Sequence, residues 1–263
     1  MKDKVDWVIS LALAQNSIKD WKQGEISGFE FSNSVTFRSS FGFSPFILRF
    51  NFNYAAGIIY TNNKDIDSHY FMPTDNKLGG ECVLVYPVGW KLDPCISAQF
   101  NTQLTRSFKY IRGKKISTAS LWDPVTSIET FGLELSKANK GDYYTSRLGL
   151  SLKQIRASEF TMLTDDFKTR DVKERYKSQT GIQWSNNAKV AITESLTYRG
   201  TLSMFGAFED LTKWTFKMTN KFEIKVFKAI GVTINFDLAY DERQLVGLQY
   251  KQNIRFGFIV TPN

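Results

Sequence analysis

Cys95-Ile-Ser-Ala-Gln-Phe-Asn-Thr-Gln-Leu-Thr-Arg106 reads as a strand with two unlike faces. Ile96, Ala98, Phe100 and Leu104 fall on one parity; Ser97, Gln99, Asn101, Gln103 and Thr105 fall on the other. A period of two sends alternate side chains to opposite faces of a strand. A soluble sandwich would show Lys and Glu on its polar face, whereas here that face carries Ser, Thr, Gln and Asn. A long apolar face against a compact polar one fits a transmembrane barrel, with lipid outside and a wet lumen inside.

The same dyad restarts about a dozen times. The expected strands are 5–17, 26–41, 45–60, 77–88, 94–107, 122–136, 143–156, 178–186, 188–204, 212–227, 229–241 and 247–260. Their connections alternate between tight and long. The tight ones are Phe41–Pro45, Val88–Pro94, Lys137–Asp142, Asn186–Asn187 and Phe227–Ala229. The long ones are 18–25, 61–76, 107–121, 157–177, 205–211 and 242–246. Both ends of the chain fall on the tight side, the pattern of outer-membrane barrels with short periplasmic turns and longer external loops. The fold expected over 1–263 is one all-β domain, an up-and-down antiparallel transmembrane barrel of about twelve strands.

Parity sorts the residues into two sets. Lipid should meet Phe46, Leu48, Phe50, Phe52, Trp214, Phe216, Phe222, Ile234, Phe236, Phe256 and Phe258. The lumen should receive Arg38, Arg49, Gln99, Asn101, Gln103, Arg106, Arg147, Lys153, Arg199, Lys217, Lys221, Glu223, Lys225, Asn235, Asp237, Lys251 and Arg255. A Lys or Arg turned to the lipid midplane costs about 2–4 kcal/mol. A one-residue slip would expose several, so the register is strongly specified.

Composition narrows the classes. The chain has 42% apolar residues, 22 Phe and a formal charge of +8. No run of eighteen apolar residues exists, which excludes spanning helices but not spanning strands. The basic residues are scattered singly, with no basic helix and no nucleic-acid-binding motif, so no nucleic acid is expected as a partner. The start, Met1–Gln15, has acids where an export signal needs bases. It reads as the first strand of a mature outer-membrane protein whose export signal lies outside this sequence.

Three pieces carry a resemblance. They are Gln15-Asn-Ser-Ile-Lys-Asp-Trp21, Thr102-Gln103 inside a strand, and Tyr240-Asp241 ending another. In that order and spacing the chain resembles a Bacteroidetes-type family of outer-membrane barrels, known as a domain of unknown function. Asp20 stands where the family pattern has Asn, and Gly24 alone remains of its following glycines. The resemblance implies an exported barrel and supplies no catalytic residues.

Little else points to chemistry. The single His69 lies among Asp65, Asp67 and Asp75; a solvated loop explains it better than an acid–histidine rim site, and no G-x-S-x-G motif accompanies it. No His/Cys cluster has metal-ligand spacing, so neither metal nor cofactor is expected. Cys82 and Cys95 flank one tight turn and are candidates for a disulfide if the register sets them opposite each other. Asp165–Lys177 reads as a solvated loop, with a short helix capped by Thr164 as the alternative. The inward set is cation-rich, and fixed cations attract anions. Two readings therefore stand: a narrow passive channel favouring small anionic solutes, and a non-conducting barrel that docks outer-membrane protein partners through its loops. The lipid bilayer is the partner common to both.

Overall fold

In the computed structural model, residues 4–19, 28–63, 68–111, 114–139, 141–166, 169, 172–227, 229–241 and 245–260 are described. The strands are β1 (Lys4–Lys19), β2 (Gly28–Phe43), β3 (Phe46–Asn63), β4 (Ser68–Val85), β5 (Asp93–Thr102), β6 (Ser107–Ile111), β7 (Lys114–Ala119), β8 (Val125–Asn139), β9 (Asp142–Arg156), β10 (Tyr176–Ala191), β11 (Leu196–Ala207), β12 (Trp214–Phe227), β13 (Ile230–Asp241) and β14 (Leu245–Val260). β6 and β7 form a separate hairpin; the other twelve close into one antiparallel barrel in which β1 pairs with both β2 and β14. Closure leaves the barrel sheet without an edge, the condition for strands to span a bilayer.

Burial is inverted relative to a soluble protein. Leu13, Phe29, Phe131 and Leu150 are 65%, 76%, 63% and 61% exposed, while Glu30, Glu134 and Lys251 are 1% exposed. Most apolar side chains face out and most charges face in, while Ile59, Met72, Val83 and Val85 are buried on the inner face. A sixteen-residue strand runs about 50 Å, and its tilt leaves more than the ~25 Å of an apolar band, so strand ends project beyond the lipid. Outward rings gather near both ends. Phe43, Phe46 and Tyr86 are in contact at the turn end (5.8 and 5.5 Å between ring centroids). Tyr60–Phe71 (5.2 Å) and Phe100–Trp122 (5.9 Å) lie at the loop end. Ring pairs at both depths match the aromatic girdles of an outer-membrane barrel, and the molecule is a transmembrane barrel of that type.

Three local expectations need correction. Asn186-Asn187 is not a turn: β10 runs through it, Asn187 pairs with Thr145 and Thr201, and Asn186 accepts a hydrogen bond from the Tyr144 hydroxyl (3.0 Å). The chain reverses at 192–195 instead, where the Thr193 hydroxyl accepts the amide of Leu196 (3.0 Å). The stretch 61–76 is not a long loop; it lengthens β3 and β4 into a hairpin, with His69 opposite Asn62. Asp65 and Asp67 lie outside the described residues, as do Asp20, Trp21 and Gly24 of the resemblance. Within 157–177 the described residues hold one turn of 3-10 helix, Thr161–Leu163, which ends at Thr164 rather than starting there, and the first residues of β10.

Candidate functional site

The lumen is the candidate site, and pairing registers decide which residues enter it, because directly opposed residues share a face. One row shows the rule: Lys189 opposes Arg199, which opposes Lys221, which opposes Asn235, which opposes Asn253. Continued around the wall, the rule places Arg38, Arg49, Gln99, Asn101, Arg147, Lys153, Lys217, Glu223, Lys225, Asp237, Lys251 and Arg255 on the inner face. Phe46, Leu48, Phe50, Phe52, Trp214, Phe216, Phe222, Ile234, Phe236, Phe256 and Phe258 take the outer face.

Two expected wall residues leave it. β5 ends at Thr102, so Gln103 and Arg106 belong to the loop above. Gln103 accepts a hydrogen bond from the Ser107 hydroxyl there (2.6 Å). The candidate disulfide does not form: Cys82 opposes Ala98 on the outer face, Cys95 opposes Val85 on the inner face, and both thiols are free. Side chains on opposite faces of a sheet cannot be bridged without moving the backbone.

Sequence reasoning missed several acids on the inner face: Asp6, Glu30, Asp75 and Glu81. They join the cations in three networks. In the first, Arg49 of β3 pairs with Glu134 of β8, and Arg147 of β9 pairs with Glu81 of β4 (2.5 Å) and Glu134 (3.6 Å). In the second, Asp6 of β1 meets Lys189 of β10 (3.7 Å) and Arg199 of β11 (4.0 Å); Glu223 of β12 meets Arg199 (3.0 Å) and Lys221 (2.7 Å). In the third, Asp75 of β4 takes Lys251 (2.9 Å) and Arg255 of β14, and Arg255 also approaches Glu30 of β2 (3.8 Å). Arg49–Glu134, Arg147–Glu81, the two Asp6 contacts and the two Asp75 contacts join strands three or more apart around the ring and so cross the lumen. Arg147–Glu134 and Arg199–Glu223 instead join adjacent strands, and Lys221–Glu223 lies within β12. The first two lie toward the turns and the third toward the loops. Between them Thr130, Ser151 and Gln183 form a buried hydroxyl–amide chain.

The third network is tied to the loops through a bulge. Two residues of β4, Asp75 and Asn76, stand against Ala56 of β3, and Asp75 has φ 44°. A bulge bends the strand and re-aims side chains. Asp75 enters the lumen, while Asn76 fixes the foot of the β6–β7 hairpin. The Asn76 carbonyl oxygen accepts the amides of Leu104 (2.9 Å) and Thr105 (2.8 Å), and its amide donates to the Thr105 carbonyl (2.5 Å). Nearby, Asp123 clasps the next loop by accepting the amides of Ser158 (2.9 Å) and Glu159 (2.8 Å). Burial opposes ionisation of Asp123, but these amide donors and the Ser158 hydroxyl outweigh it and hold its carboxyl below the ordinary value.

The comparisons with known proteins concern architecture. No protein-family model and no curated protein matches the chain. Among solved structures, the chain is similar to the NanC porin at 10% identity (TM-score 0.44; 95% of this chain and 98% of that one). It is similar to the translocator domain of autotransporter NalP from Neisseria meningitidis at 8% (TM-score 0.42; 97% and 88%). It is also similar to OmpT, an outer membrane protein of Vibrio cholerae, at 7% (TM-score 0.40; 98% of each).

Proposed function

We propose that the barrel is a narrow passive channel favouring small anionic solutes. The carrying observation is one wall of the lumen. Lys189, Arg199, Lys217, Lys221 and Lys225 lie on the inner faces of the adjacent strands β10, β11 and β12, with Glu223 as the acid among them. Lys217 and Lys225 are exposed, so this wall is wet. Fixed cations along a confined aqueous path raise the local anion concentration.

The test is reversal potential in a KCl gradient across a planar bilayer. Wild-type protein is expected to prefer chloride, and K217Q with K225Q should lower that preference about two- to threefold. Charge reversal at Arg49, Lys221 and Arg255 is a poorer probe. It would set new glutamates beside Glu134, Glu223 and Glu30 and so report on folding rather than selectivity.

The ion pairs that cross the lumen favour a second reading, a non-conducting barrel that docks protein partners through loops fastened by Asn76 and Asp123. Absence of current from folded protein selects that reading over the channel.

A further inference from the structure

The second lumen network holds more cations than its acids can match. Four cations, Arg38, Lys189, Arg199 and Lys221, surround the two carboxylates of Asp6 and Glu223. Asp6 is the cross-strand neighbour of Arg38, yet its carboxylate is turned to Lys189 and Arg199. Arg38 instead reaches over the lumen and lays its guanidinium 5.4 Å from the centre of the Tyr143 ring. Its Nη1 is buried and has no hydrogen-bond partner. Cation–π attraction offsets part of the lost hydration, but the ring face offers no in-plane acceptor to the N–H groups. Arg49, Arg147 and Arg255 also carry a buried Nε without a hydrogen-bond partner, but each pairs with a carboxylate through another nitrogen. Among the described residues Arg38 pairs with none, and that needs an explanation. An oxyanion supplies it, because a carboxylate or phosphate accepts from the planar fork and neutralises the excess charge.

We propose that Arg38, with Lys189, Arg199 and Lys221 around it, forms a binding site for a compact oxyanion, a carboxylate or phosphate group, in the turn-side half of the lumen. The site rests on the reading of the lumen as a path for small anions, and it adds a stopping point to that path. An anion seated there would meet Arg38 on one side and the Lys189–Arg199–Lys221 row on the other. Asp6 and Glu223 limit the excess, so a small monoanion or dianion fits the charge better than a polyanion.

The test is isothermal calorimetry on folded protein in non-ionic detergent at low salt, titrated with inorganic phosphate and separately with acetate. Wild-type protein is expected to bind both. Arg38→Gln should weaken phosphate about tenfold or more, the worth of one charge-assisted hydrogen bond. Arg38→Lys, which keeps the charge but loses the fork, should fall between them, and Lys114→Gln on the β6–β7 hairpin should change nothing. If Arg38→Gln fails to give the compact, heat-modifiable form, Arg38→Lys carries the comparison. No phosphate binding to folded wild type, or equal binding by wild type and the Arg38 variants, overturns the site. The same preparations in planar bilayers separate the two readings. Phosphate binding without current keeps the site and removes the channel; anion-selective current without phosphate binding does the reverse.

Discussion

Two charge networks share the turn-side half of the lumen, and they are built differently. Around Glu134, two arginines meet two glutamates, and every carboxylate reaches across the barrel to an arginine. Around Glu223, the cations outnumber the acids, and Arg38 has no carboxylate within salt-bridge distance among the described residues. The first arrangement is closed upon itself and acts as a strut between β3, β4, β8 and β9. The second is open to something else. A matched network holds walls together, whereas a mismatched one keeps capacity for a passing charge, at the cost of a buried guanidinium with no carboxylate paired to it.

The sharpest way to break this contrast is at Glu134. Glu134→Gln leaves Arg49 and Arg147 without their shared carboxylate in a buried setting, which costs about 3–5 kcal/mol. The expected result is a large drop in the temperature at which the compact gel form is lost in detergent. Arg38→Gln, whose parent side chain has no acid partner within the salt-bridge distance among the described residues, should shift that temperature little; a shift as large as that of Glu134→Gln would erase the distinction.

A smaller effect is expected at the loop clasp. The Asp123 carboxyl ionises below the ordinary aspartate value of 3.8. Its contribution is therefore complete above that value and is lost as pH falls through the lower, folded value. Limited proteolysis near Ser158 should be unchanged from pH 7 to about 4 with an acid-tolerant protease, and should speed up below that. Asp123→Asn should show the faster cleavage already at pH 7, while both lumen networks keep their thermal stability.

The smallest expected effect is covalent. Because Cys82 faces out and Cys95 faces in, reducing agent should alter neither gel migration nor melting. A membrane-soluble maleimide should label Cys82 ahead of buried Cys95. A reduction-sensitive shift would contradict the register of β4 against β5.

Much of the barrel was legible because alternation is a local signal: an outward Phe beside an inward Arg marks a strand without knowledge of its neighbours. The alternation gives the twelve strands of the barrel, with one turn at 192–195 in place of Asn186-Asn187. Asn-Asn favours turns by its local hydrogen bonds, but inside β10 the ladder pairs its backbone and the Tyr144 hydroxyl donates to the Asn186 side-chain oxygen. The inward acids were harder. Glu30 lies between outward Phe29 and Phe31, and Glu81 precedes outward Cys82, so parity alone could have found both. Which cation each acid meets was not legible, since partners such as Asp75 and Lys251 are 176 residues apart and meet only when the ring closes.

The bulge in β4 works like a shift of reading frame. Before it, odd positions face lipid, as Phe71 does opposite Tyr60; after it, even positions do, as Cys82 and Leu84 show. A scan for a single unbroken alternation loses the strand at Asp75, although each half is regular. Deleting one residue between Thr74 and Lys77 would restore one frame and reverse the faces of whichever half had to move. This strand should therefore tolerate substitution along most of its length and resist any change in its length at the bulge.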